Sequence, residues 1–404
     1  KRIYITLFCL GLFALGSSVT IPWATQIYQD LGFLEIFNIM SGGGLRSFSI
    51  FALGVSPYIT ASIITQLLQM DIVPYFKDLK DQGYTGRQKI NKINRYMGII
   101  IGFFQAYVLC IAYMGSASVF VQLKTALVMT AGTAFCLWMG DQITNKGIGN
   151  GQSMLIMAGI ILSMPSIFTG AYYGFVTSGT YETALGIFFF CLFILVYVLI
   201  VVGIIWIQLA ERRIPIQYTS SSISLSKPSE ANYLPLKVNS ASVIPVIFAS
   251  SLMMAPIQIA SFFPSNDFIK EMQKWLGLQT WYSLVIYVLL ILFFTFFYTK
   301  MQINPEKVAE NLGKSGSYIP SVRPGNETKE YINRVLSRIT VLGSVALAII
   351  AVMPHIMPLV WPDLPNSMAL GGTGMIIVVG VAIETVRQVQ GLITQKSYKK
   401  YYED

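Results

Sequence analysis

The sequence predicts an all-α polytopic membrane protein with ten transmembrane helices. Three observations carry that expectation. Of the 404 residues, 54% are hydrophobic and 12% charged, and the mean hydropathy is +0.60; a soluble domain carries about twice that charged share. Ten apolar runs approach the roughly 20 residues that a helix needs to cross a bilayer, near 4–22, 50–70, 96–114, 121–140, 152–170, 184–207, 242–262, 280–300, 336–354 and 371–390. The cations alternate in density between the connecting segments, as the positive-inside rule requires.

The first run is followed by further spans and by no cleavage-site pattern, so it reads as a retained anchor. The chain opens on Lys1 without a Met, and a short preceding piece is expected. The second run, 49–68, is unlike a lipid-facing helix. It holds Ser49, Ser56, Thr60, Ser62, Thr65 and Gln66, with Gly54 and Pro57 near its start. Each buried hydroxyl or amide wants a partner. The Ser41-Gly42-Gly43-Gly44-Leu45-Arg46 segment before it is no membrane sequence. Two readings stand: a kinked helix buried in a bundle, or a pore-lining helix attached to a mobile element.

Spans three and four follow a basic segment holding Lys77, Lys80, Arg87, Lys89, Lys92 and Arg95. A Gly147-Ile148-Gly149-Asn150-Gly151-Gln152-Ser153 loop opens the fifth span. Glycine-rich runs before helices can cradle phosphate, but no strand precedes this one. After the sixth span, a loop at about 208–241 holds two strand-like runs around a Ser-rich turn, which reads as a hairpin. A loop at about 301–335 holds Asn304-Pro305-Glu306, a short helical stretch, and a Pro/Gly turn that presents Arg323. Each loop is either a solvated basic connection or a docking surface; length and turn chemistry favour docking. Gly313-Lys314-Ser315 is not a phosphate-binding loop, because Val308 stands where the first Gly belongs. No means of hydrolysing ATP and no cofactor are expected, and the chain reads as no enzyme. In the last span Glu384 and Arg387 have the spacing of a pair.

Cys9, Cys110, Cys136 and Cys191 are dispersed in apolar runs, which argues against disulfides and metal binding. His355 has no ligand set around it and reads as a loop or interface residue. With ten spans both termini share one side, the side that holds most cations; only Arg46, Lys124, Lys270 and Lys274 fall on or near the other. Both termini are therefore expected in the cytoplasm.

Several stretches together resemble the SecY family, the channel subunit of the bacterial preprotein translocase. They are Ser49–Leu68, Gly147–Gly151, Leu234–Ser251, Asn304–Gly325 and Gly371-Gly372-Thr373. The resemblance covers nearly the whole chain in order, and the loops look most like Firmicutes members. It implies two pseudo-symmetric five-helix halves forming a clamshell channel in the plasma membrane, residues 1–170 and 184–390, with a cytoplasmic tail at 391–404. It further implies a pore ring of Val55, Ile59, Gln152, Ile156, Ile247 and Ile377. A plug would span about Leu34 to Phe48, including Phe37, Met40, Gly42, Gly43, Gly44, Leu45 and Arg46. Gln66, Gln105, Ser250 and Ser251 would form the polar seam of a lateral gate. Arg212, Arg213 and Arg323 would meet SecA or the ribosome. SecE and SecG are the implied companions, unfolded preproteins the cargo, and membrane lipids the exit for apolar segments.

Two departures stand out. Gln152 occupies a ring position that the family fills with an aliphatic residue, or else it only caps the fifth span. The hairpin tip, 219–226, holds no basic residue. Both features suit an accessory member dedicated to a few surface glycoproteins. The rival from another class is a secondary transporter of small solutes, which would need convergent charges at mid-membrane; the sequence offers none. An insertase or scaffold without a pore is the weaker rival, since it leaves the glycine-rich segment without a purpose.

Overall fold

The computed structural model describes residues 2–24, 35–69, 73–114, 117–177, 182–218, 233–260, 275, 280–360 and 367–403. Helices fall on all ten expected spans: α1 (Arg2–Ser18), α3 (Ser56–Leu68), α5 (Tyr84–Tyr113), α6 (Val119–Lys146), α7 (Gly151–Tyr172), α8 (Thr183–Leu209), α9 (Ile244–Ala260), α10 (Trp281–Gln302), α12 (Asn326–Val360) and α13 (Ser367–Glu403). Short helices α2 (Glu35–Met40), α4 (Pro74–Asp81) and α11 (Pro305–Lys314) lie between them. Among the described residues, α5, α6, α7, α8, α10, α12 and α13 are long and apolar enough to cross a membrane.

The second span differs from its expected form. Only 13 residues of it are helical, about 20 Å at 1.5 Å per residue, short of the ~30 Å hydrocarbon layer. Residues 50–55 form buried turns instead. The backbone is reversed at Phe48 (φ 46) and Gly54 (φ 51). Non-helical backbone at membrane depth must find partners within the protein, and here the chain leaving α1 supplies them. Ile50 N donates to Val19 O at 3.0 Å and Ile21 N to Phe48 O at 3.0 Å, around an antiparallel bridge between Thr20 and Ser49.

Lipid gives apolar faces no reason to pair, so small residues set the helix contacts. Gly98 and Gly102 of α5 receive Tyr58 and Pro57 of α3: a Cβ at Gly98 would stand 3.2 Å from Tyr58 Cα, and one at Gly102 3.4 Å from Pro57 Cγ. A Cβ at Gly132 of α6 would overlap the Ile50 carbonyl. Around these contacts α3 packs on α5, α5 on α6 and α6 on α7, while α1 packs on both α6 and α7. A second set joins α9 to α10, α10 to α12, α12 to α13 and α8 to both α12 and α13. The sets meet closely where α7 lies on α13 and only sparingly where α3 meets α9.

His355 is not in a loop. It lies within α12, 2% exposed, edge-on to Tyr287 of α10 with ring centroids 5.7 Å apart. Glu384 and Arg387 also depart from expectation: Arg387 Nη2 instead donates to the Gln208 carbonyl of α8 at 3.3 Å.

The expected hairpin forms from β1 (Glu211–Pro215) and β3 (Tyr233–Lys237), antiparallel, with Ile214 opposite Leu234. The Ser-rich tip lies outside the described residues. A second pairing was not anticipated: β2 (Gln217–Tyr218) bonds to β4 (Ser317–Tyr318) of the later loop. Ile214, Leu236, Ile319 and Ile332 form a small core beneath the two loops, which makes them one surface. Asn304 caps α11, its Oδ1 accepting from Glu306 N at 3.0 Å and Lys307 N at 3.4 Å.

Candidate functional site

The expected ring residues come from α7, α9, α13 and the start of α3, where α7 packs on α13 and α3 meets α9. Val55, Ile59, Ile156 and Ile377 are all buried in one apolar core, and Ile247 packs against it. Gln152 precedes Ile156 by one turn on α7, yet its amide turns away. Its Oε1 lies against Gly140 of α6. Gln152 is not the cap of α7 either; that is Asn150, whose side chain accepts from Gln152 N at 3.2 Å.

The glycine-rich segment docks directly above Ile156. α2 packs on α7 and α13. Ser163 Oγ donates to the Ile39 carbonyl at 2.9 Å, and a Cβ at Gly159 would overlap the Met40 carbonyl. Ile156, Gly159 and Ser163 lie at i, i+3 and i+7, one face of a helix. After α2 the chain turns through Gly42 (φ 73) and Gly43 (φ 82), a left-handed region that costs glycine nothing. Gly43 N donates to Asn38 O at 2.8 Å and Asn38 Oδ1 accepts from Arg46 N at 3.1 Å. Gly44 and Leu45 are buried and Arg46 is exposed. Leu34 and the side chain of Phe37 lie outside the described residues.

Across the seam between α3 and α10, the Tyr298 hydroxyl donates to Gln66 Oε1. Gln66 Nε2 donates in turn to Ser62 Oγ at 2.9 Å. Tyr298 was not anticipated, because an aromatic residue in an apolar run reads as core. Ser250 Oγ donates within its own helix, to Ile247 O at 2.9 Å. Ser250, Ser251 and Gln105 are all half-buried.

On the opposite side, the 147–151 loop ties three helices together. Ile148 N donates to Thr6 Oγ1 at 3.1 Å, Gly149 N to Gln388 Oε1 at 3.0 Å, and Gly151 N to Thr144 Oγ1 at 2.8 Å. These bonds occupy the amides that a phosphate would need. Thr6 and Gln388 carry no sequence signal, since only the fold brings them to the loop. A cavity of about 480 Å³ lies beside it, lined in part by Arg2, Asn150 and Glu384.

The loop arginines are exposed. Arg213 Nε contacts Glu211 Oε1 at 2.8 Å and stacks on Tyr233 at 4.7 Å. Arg212 lies beside it on β1. Arg323 is 86% exposed, with Glu327 only at 3.8 Å. Partial burial and the nearby Arg387 push the Lys237 ammonium below its usual range, against the pull of Glu384 and Glu211. Among the described residues no cluster of His, Cys, Asp and Glu could hold a metal ion. What the described residues show is an apolar core that includes these side chains, a glycine-rich segment packed on α7, and a side-chain hydrogen bond from α3 to α10.

A SecY family model matches residues 49–386. The protein translocase subunit SecY of Staphylococcus aureus (strain NCTC 8325) is 41% identical over 415 residues, covering 99% of this chain and 96% of that protein. Its counterpart in Staphylococcus epidermidis (strain ATCC 35984) is 42% identical over 414 residues, with the same coverage. Among solved structures, a protein-conducting channel superposes with a TM-score of 0.72 at 18% identity, over 96% of this chain and 91% of that one. Sec61 from a canine ribosome–channel complex of the endoplasmic reticulum gives 0.68 at 17% identity, with the same coverage. At such identities the structures establish the fold alone: an all-α, ten-span channel fold.

Proposed function

The chain belongs to the SecY family and is a protein-conducting channel subunit spanning the membrane many times; from that premise we propose how its parts divide the work. Unfolded preproteins pass between Val55 and Ile59 of α3, Ile156 of α7, Ile247 of α9 and Ile377 of α13. Gln152 stands at the entrance side of that ring. A narrow apolar collar expels water and so holds back ions, while branched side chains yield around a peptide without reading its sequence. Residues 35–48 form the plug that closes the outer funnel. Apolar segments leave sideways through the seam of Gln66, Gln105, Ser250 and Ser251, which a few polar contacts hold.

The observation that carries this reading is the stacking on α7. Ile156, Gly159 and Ser163 share one face, so the docked segment sits one turn beyond the collar and in line with it. The two termini and the cation-rich loops lie in the cytoplasm of a bacterium, and the membrane is its plasma membrane. SecE braces the two halves and SecG attaches to them. SecA with ATP, or an elongating ribosome, supplies the driving energy by docking on Arg212, Arg213 and Arg323. Docking on RNA phosphates through these cations weakens with salt.

The test is a disulfide crosslink. A single cysteine is placed at Ile247 in a variant lacking the four native cysteines, and a secretory chain carrying a scanned cysteine is stalled in the translocase. Crosslinks that depend on SecA and ATP are expected at position 247. If an engaged chain never reacts there, while a small solute protects the cysteine from alkylation, the constriction is a solute site instead.

A further inference from the structure

Gly374, Ile377, Val381, Thr385 and Gln388 of α13 follow one another at i, i+3, i+7, i+11 and i+14, which is one face of a helix. That face meets α7 and the loop before it at three heights. A Cβ at Gly374 would stand 2.9 Å from Ile160 Cγ2. The Thr385 hydroxyl donates to Met154 Sδ at 3.4 Å. Gln388 Oε1 accepts from Gly149 N at 3.0 Å. Ile156 and Ile377 lie between the first height and the second. Gly149 makes room for the last bond. Its φ of 85 suits glycine, and a Cβ there would stand 3.2 Å from Met154 Cγ and 3.3 Å from Thr385 Oγ1. The neighbouring Ile148 and Gly151 N–H groups donate to Thr6 of α1 and Thr144 of α6. Gln388 therefore bonds to a loop already fixed to the first set of helices. One residue earlier, Arg387 donates to the Gln208 carbonyl of α8, in the second set.

We propose that Gln388 is a positioning residue for the constriction, and this rests on the ring reading given above. By clasping the 147–151 loop to α13 it fixes the height at which α7 lies along α13. It thereby sets where Ile156 stands relative to Ile377. Apolar faces in lipid slide past one another at little cost, whereas a bond between one donor and one acceptor exists at a single register. Gln388 is exposed and borders the cavity of about 480 Å³ beside the loop, so replacing it leaves no hole in the core.

The test uses the complete translocase in liposomes, with resting ion leak, complex yield and melting temperature as readouts. Gln388→Leu removes the acceptor and keeps most of the side chain; Gln388→Ala removes both. In each the leak is expected to rise by about threefold to tenfold, the range for losing one hydrogen bond. Yield and melting temperature stay at parent values. Gln388→Glu keeps an acceptor for the Gly149 N–H, and its leak stays within about twofold of the parent. Parent-like leak in both Gln388→Leu and Gln388→Ala overturns the proposal. So does a leak in Gln388→Glu as large as theirs, because the acceptor would then not be the cause. A fall in yield and melting temperature in both truncations also overturns it, in favour of a general structural role. Ile377→Gly separates the two levels. If it leaks while Gln388→Leu does not, the ring stands and the clasp falls; if neither leaks, the ring reading itself is wrong.

Discussion

On one side α3 rests on glycines of α5, and the turns before it rest on Gly132 of α6; on the other side α3 meets α9 only sparingly and reaches α10 through the Gln66 side chain. At Gly98 and Gly102 the backbones approach as closely as van der Waals radii allow, and at Gly132 a carbonyl fills the place of a side chain. Across the seam, the Tyr298 hydroxyl meets Gln66 Oε1, while Ser250 Oγ donates within its own helix, to Ile247 O. In lipid, close backbone packing is the main source of helix association, while one hydrogen bond across a bundle contributes on average about 0.6 kcal/mol. The contrast ties α3 closely to α5 and only lightly to α9 and α10.

Three substitutions would break or sharpen that contrast. The largest effect is expected from Gly132→Val. Its side chain must displace the Ile50 carbonyl, overpacking that costs about 3 kcal/mol, and thermal unfolding in detergent should show a clear loss. A variant as heat-stable as the parent would mean that the segment leading into α3 is not anchored on α6. Next comes Tyr298→Phe, which removes the bond to Gln66. Its cost is about 0.6 kcal/mol, so melting should hardly move while export of a weakened-signal precursor rises about threefold. Unchanged selectivity would remove the seam from the gate. The smallest effect belongs to Arg95→Leu. The Arg95 side chain is 46% exposed and that of Asp141 19%, so the pair is worth at most about 1 kcal/mol and less at high salt. A larger loss, or one indifferent to salt, would show that this pair stabilises the α5–α6 body more than its exposure allows.

The second span shows where reading the sequence stops. Its hydropathy is the same whether residues 50–55 are helical or turned, so the run looked like a full crossing. What makes the turns possible is Val19 and Ile21, which take up the backbone groups of Phe48 and Ile50; no local pattern announces that partnership. Of the two readings of His355, loop or interface, the loop falls for a similar reason: nothing local shows that Tyr287 of another helix packs against it. The β2–β4 pairing joins two-residue strands about a hundred positions apart, too short to leave a periodicity. The plug and ring positions rested on motif resemblance, not on pattern, and the turn of the Gln152 amide onto Gly140 left no trace in either.

The sequence by itself determined the ten helices, their membrane setting and the loops that could dock a partner. These follow from properties that add residue by residue along the chain: transfer of side chains into hydrocarbon, and the position of Lys and Arg. Tertiary structure alone decided which polar atoms meet and which backbones touch. Those choices depend on pairs. Tyr298 reaches Gln66, and Gly149 reaches Gln388, only after the helices have been set side by side. In a solvent as apolar as the side chains themselves, hydrophobicity cannot say which faces come together, so small residues and hydrogen bonds do.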